Sequence, residues 1–238
     1  MKTRAFSLIE FLVAVALISL IAVFLAGAMA RVQRRAQDVE CISRLRQLGA
    51  AMSLFANDHR QQIPGRLYEA EWQSGGEPLY PQWYRRLGRG GYLATVTKYG
   101  DSLACYCPAF PPASPTDSRV EQPLKVETRF GMRNWVPPGD GWTLNDPTRL
   151  LPLSAIAERG DFFLIADSYF TDRASQGYQI VPGAPKWRIH FRHGGKAHAL
   201  FADWHVEAKD RAYFAAVPAR QLYSGPYDGR PFYFWPEN

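Results

Sequence analysis

Cysteine and histidine are both scarce in this chain, at three and five residues in 238. Cys105-x-Cys107, with Cys41 far upstream, lacks the second Cys or His pair of a zinc signature, so no metal site is expected from the cysteines. No glycine-rich loop leads into a helix to cradle phosphate, and no Ser, Cys or His stands in a nucleophile motif. These absences argue against an enzyme. Long runs of one charge are missing too. The net charge of +6 comes from dispersed Lys and Arg, densest at Arg31, Arg34, Arg35 and at Arg85, Arg86, Arg89. Such a pattern reads as solvated surface, and no nucleic-acid partner is expected.

What the chain does have is a twenty-residue uncharged run, Phe11 to Ala30, long enough as a helix to cross ~30 Å of hydrocarbon. Glu10 stands just before it, and Lys2 and Arg4 precede that. A secretory signal is one reading, with small-residue cleavage sites at Ala26-Gly27-Ala28 or Ala28-Met29-Ala30. A plain single-span anchor is another. Neither accounts for Glu10, because a carboxylate beside an apolar span is costly and is usually kept for a purpose.

Beyond Ala30 the helical pattern continues. Val32, Val39, Ile42, Leu45, Leu48, Met52 and Phe55 form one apolar stripe, and Asn57-Asp58 followed by Pro64-Gly65 signals the stop. One helix over about 7–58 would be ~75 Å long. Residues 6–30 are its membrane or assembly half, and 31–60 its amphipathic continuation. Residues 61–238 then make the head, so the fold class is α+β: a long helix packed on an antiparallel sheet. In the head, 64–146 is rich in Pro, Gly and aromatics. A short helix or turn is expected over 85–94, ending at Gly90-Gly91, and an exposed loop over 110–125. Phe162–Ala166 and Tyr178–Val181 read as strands. Lys186–Glu207 reads as a three-stranded meander turning at Gly194-Gly195 and at Asp203-Trp204. In that register His190 and His198 lie on opposite faces, and Asp203 sits beside Lys186, ~20 Å from His193. Beyond a membrane, an oxidising compartment would permit a Cys41–Cys107 disulfide worth about 4 kcal/mol, leaving Cys105 free.

The run Ala5-Phe6-Ser7-Leu8-Ile9-Glu10, followed by an apolar helix, closely resembles the N-terminal cleavage and methylation motif of type IV pilins and type II secretion pseudopilins. The resemblance implies a leader over residues 1–5, cut between Ala5 and Phe6 by a prepilin peptidase that methylates the new amine. Ala5 stands where the family usually has Gly. It also implies assembly through Phe6 and Glu10, the carboxylate of one subunit neutralising the Phe6 amine of its neighbour inside lipid. The implied partners are the prepilin peptidase, other pilin or pseudopilin subunits, the inner membrane, and a secretion or pilus machinery. The head would face the periplasm.

Several later stretches are similar to a large bacterial group of pilin-like proteins: Cys41–Gly49, Phe55–Asp58, Cys107-Pro108, Phe130–Asn134, Leu164–Asp167, and His193 with Asp203 ten positions on. That His and Asp form the group's signature, in which Gly normally follows the Asp; here Trp204 does. Some pseudopilin loops hold calcium, and Asp167 and Asp172 with nearby carbonyls are the candidates for it; otherwise no cofactor is expected. His193 and Asp203 are expected to stabilise turns. The main rival is a monomeric membrane-anchored binding domain for carbohydrate, stacking sugars on Trp72, Trp83, Tyr84, Trp142 and Tyr223 to Trp235. An anchored metal-dependent hydrolase is the third reading.

Overall fold

A computed structural model describes residues 8–65, 83–95, 102–110, 130–133, 150–156, 158–173, 175–177, 179–181, 183–217 and 233–235. The chain divides into two units, Met1–Val39 and Glu40–Asn238. Helix α1 (Leu8–Asp58) is continuous, close to the 7–58 read from the sequence. Its apolar part carries Leu, Ile, Val and Phe side chains exposed on every face from Leu8 to Met29. It is long and apolar enough to cross a membrane, a criterion that a signal sequence near an N-terminus also meets.

From Glu40 on, α1 belongs to the globular unit, and its burial becomes one-sided. Cys41, Leu45, Leu48, Met52 and Phe55 are buried at alternating spacings of four and three, while Leu54 stays exposed. That is the seam of a helix lying on a core. Gly49 sets how closely the helix lies. A Cβ there would come within 2.9 Å of Leu200 Cδ1 and 3.3 Å of the Trp204 carbonyl oxygen.

The head is built of short strands: β1 (Gln62–Pro64), β2 (Gly131–Arg133), β3 (Leu150–Pro152), β4 (Phe163–Ala166), β5 (Ser168–Phe170), β6 (Gln179–Ile180), β7 (Trp187–His190), β8 (Ala197–Phe201), β9 (Val206–Lys209) and β10 (Tyr233–Trp235). Two short helices, α2 (Trp83–Arg89) and α3 (Arg211–Ala216), complete it. The main sheet runs β6-β2-β4-β8-β9, a second runs β10-β7-β5, and β1 pairs with β3. Pairing is mainly antiparallel, but β2–β6 and β10–β7 are parallel, so the sheets are mixed. Strand β4 is fully buried, which explains its unbroken apolar run.

The expected meander over Lys186–Glu207 is only half present. β8 and β9 do form a hairpin. β7 and β8, however, do not pair; only a His193–Lys196 bridge closes the turn, with Gly194 and Gly195 at φ +61° and +82°. β7 lies against β5 (Ser168↔Ile189) and β8 against β4 (Ala166↔Ala199). Asp167, between β4 and β5, gives its N–H to the His198 carbonyl and accepts from the His190 N–H. In extended backbone those two groups of one residue point the same way. β7 and β8 therefore follow one another along Phe163–Phe170, and Phe191–Lys196 loop out between them. Asp203 is consequently not beside Lys186, whose ammonium instead pairs with Asp172 at 2.7 Å. After Asp203 the chain turns through a positive φ, +76°, at Trp204, a conformation that favours Gly.

Gly131 in β2 has no room for a side chain: a Cβ would come within 2.6 Å of both Ile180 Cγ1 and Ser168 Cβ, and 3.1 Å of the Gln179 backbone. Gly131→Ala is expected to destabilise the head by about 1–3 kcal/mol, read as a lowered denaturant midpoint with an unchanged slope.

Candidate functional site

Asp167 ends the apolar strand β4, and the backbone bonds just described hold it between two strands. Its side chain has no access to water. Oδ2 accepts the His198 N–H at 2.9 Å and faces His193 Nε2 at 3.1 Å. Oδ1 has no hydrogen-bond partner among the described residues and faces the Arg192 guanidinium at 3.6 Å. Both cations come from the looped-out segment. Arg192 also donates to the Ser168 carbonyl at 2.5 Å and lies over the Phe110 ring at 4.7 Å. The His193 ring stacks on that of His198 at 3.9 Å.

Two thiols complete the cluster. Cys107 Sγ lies 3.3 Å from His193 Nε2, and Cys41 hydrogen-bonds to Cys107. One sulfur from each cysteine, a carboxylate oxygen of Asp167 and a ring nitrogen of His193 all lie within 4.8 Å of one another, and all four residues are buried. Sequence positions far apart meet here for local reasons. Cys41 occupies the first buried position of the helix stripe. The Gln176 amide grips Cys107 from both sides, accepting its N–H at 3.1 Å and donating to its carbonyl at 2.8 Å. Arg44, one turn on from Cys41 and ion-paired with Glu40, donates to the Tyr106 carbonyl and lies over its ring.

The protons follow from these contacts. Burial alone would hold Asp167 neutral, but Arg192 and His193 outweigh it and keep its carboxyl well below the usual range. Burial opposes charge on His193 as well, yet Asp167 and Cys107 raise it to about 10. Burial pushes the Cys107 thiol up; the Cys41 and His193 hydrogen bonds and the Arg192 charge bring it down to about 7. The Cys41 thiol goes far up, through burial and its bond to Cys107. Nearby, His190 is lowered to about 3, by burial first and then by the Arg192 charge.

A cysteine beside a raised histidine resembles a nucleophile pair. The geometry differs from a catalytic triad in one respect. His193 Nε2 faces both the sulfur and the carboxylate, whereas a triad uses opposite ring nitrogens. What the cluster offers is a closed set of two sulfurs, one nitrogen and one oxygen.

Of the residues singled out from the sequence, Ala5 and Phe6 lie outside the described residues, and Glu10 is in the first turn of α1. Cys41 and Cys107 are brought together, as free thiols. His193 joins them, while Asp203 does not. Asp203 holds its own turn, accepting the His205 N–H at 3.2 Å and facing its Nδ1 at 2.6 Å. Asp167 and Asp172 have different partners, the first in the cluster and the second on Lys186. Trp83 and Tyr84 are buried in the core and are unavailable for stacking sugars; Trp72, Trp142 and Tyr223 lie outside the described residues. Sequence reasoning missed Asp167 as the hub, together with Arg192, His198 and Gln176. The available signal was a single carboxylate closing a run of five apolar residues.

Compared with known proteins, the chain matches no family model, no curated protein and no solved structure.

Removing Arg192 would leave a buried carboxylate short of countercharge. Arg192→Met is expected to cost about 3–5 kcal/mol in a denaturant titration, far beyond Lys186→Met at the exposed Asp172 pair, about 0–1 kcal/mol.

Proposed function

We propose that the chain is a pilin-like structural subunit. It is cut between Ala5 and Phe6, held in the inner membrane as a single span by the apolar half of α1, and packed through that half against neighbouring subunits. The observation that carries this reading is the character of α1. It is one unbroken helix whose first part is apolar on every face and whose last part is a one-sided core helix. An apolar exterior must be covered by lipid or by other copies, since water would not tolerate so large a patch. Glu10, in the first turn of that segment, answers the Phe6 amine of a neighbour in the pilin-like arrangement. The head then faces the periplasm and presents surface.

Co-expression with a prepilin peptidase is expected to remove five residues, read by mass spectrometry of the intact chain. Glu10→Ala is expected to abolish filaments in a shearing assay while the head keeps its melting temperature. A mature terminus beyond Ala30 would instead mark a secretory signal. An uncut chain would mark a plain anchor, leaving the carbohydrate-binding reading in place.

A further inference from the structure

We propose that Cys41, Cys107, Asp167 and His193 form a structural zinc site that fastens the head half of α1 to the two larger sheets. The four donor atoms lie within 4.8 Å of one another. An ion with bonds of ~2.0–2.3 Å holds tetrahedral neighbours ~3.3–3.8 Å apart. His193 Nε2 lies 3.3 Å from Cys107 Sγ, at the short end of that span, and 3.1 Å from Asp167 Oδ2, just below it. Small side-chain shifts, outward for these two close pairs, would admit the ion.

The donor chemistry selects the metal. Two sulfurs and an imidazole suit zinc and exclude calcium and magnesium, which take oxygen. Charge is balanced as well. Two thiolates, a carboxylate and a dication leave one net negative charge, which the buried Arg192 guanidinium beside Asp167 offsets. Asp167 Oδ1 is buried and, among the described residues, faces Arg192 at 3.6 Å but accepts no hydrogen bond, so it keeps lone-pair capacity for a ligand. The surroundings are already arranged to orient the ligands: Gln176 fixes the Cys107 backbone, His198 stacks on His193 and donates to Asp167. Four protein ligands in a closed, buried site match structural zinc, whereas catalytic zinc keeps an open position. The ligands come from α1, from the segment after α2, from the β4–β5 junction and from the loop between β7 and β8. Metal binding at such a site is folding free energy. The inference does not depend on whether the apolar helix polymerises.

The test uses the full-length chain purified in detergent from cells supplied with zinc. Elemental analysis is expected to find about one zinc per chain, and Cys41→Ser or Cys107→Ser to reduce that at least tenfold. Asp203→Asn, outside the cluster, keeps it. Because a serine variant can fail to fold, the wild-type chain supplies a second readout. Cys41 and Cys107 should resist alkylation until a chelator removes the metal, then react together. Substituted cobalt should show a thiolate charge-transfer band that the same chelator abolishes. Zinc-free protein with a Cys41–Cys107 disulfide would overturn the proposal, as would zinc-free protein with three reduced thiols, or zinc retained by both serine variants.

Discussion

A carboxylate with no access to water, Asp167, is the constraint from which the head takes its shape. A charge so placed survives only with partners, and nearly every unusual feature of the domain supplies one. Its backbone joins β7 and β8 to the same side of one extended segment. Its side chain draws Arg192 and His193 out of what would have been a plain hairpin. Those two residues in turn meet Phe110, Cys107 and, through Cys107, the helix at Cys41. The core and the cluster are therefore one construction, in which the helix seam of Leu45, Leu48 and Met52 delivers Cys41 to the polar centre.

Two kinds of contact hold α1, and they differ in specificity. The apolar seam and the close approach at Gly49 fix where the helix lies on β8, but such packing tolerates substitution of similar volume. The cluster admits few alternatives, because each member leaves another with a buried, unsatisfied group if removed. The cluster engages the first buried turn of the helix, at Cys41, where the globular unit begins.

The helix was readable almost to the residue, since a twenty-residue apolar run followed by a one-sided stripe leaves little choice. β4, β6 and the β8–β9 hairpin are legible as bounded runs with clear turn signals, while α2 (Trp83–Arg89) starts two residues before the expected 85–94 and ends before Gly90-Gly91. The β7–β8 pairing was misread for a definite reason. Gly194-Gly195 is a strong local hairpin signal, and the interaction that overrides it is Asp167, a residue about twenty-five positions upstream that no local pattern connects to the turn. The register that puts Asp203 beside Lys186 is not formed, and the two residues expected to stabilise turns have different roles: Asp203 serves its own turn, while His193 points into the cluster. The sequence suggests a disulfide between Cys41 and Cys107, whereas the structure holds them as free thiols in one cluster; the contribution of Asp167 and His193 to the same point is invisible in the sequence, because spacings of 66, 60 and 26 residues follow no metal motif. Trp204 adopts the backbone that glycine would normally supply, so the turn is preserved at some strain.

X-ray absorption at the zinc edge of the purified full-length chain tests the central claim most directly, since it reports the atoms around the metal. The account predicts two sulfur scatterers at ~2.3 Å and two nitrogen or oxygen scatterers at ~2.0–2.2 Å. A first shell without sulfur, or no bound zinc at all, would contradict it.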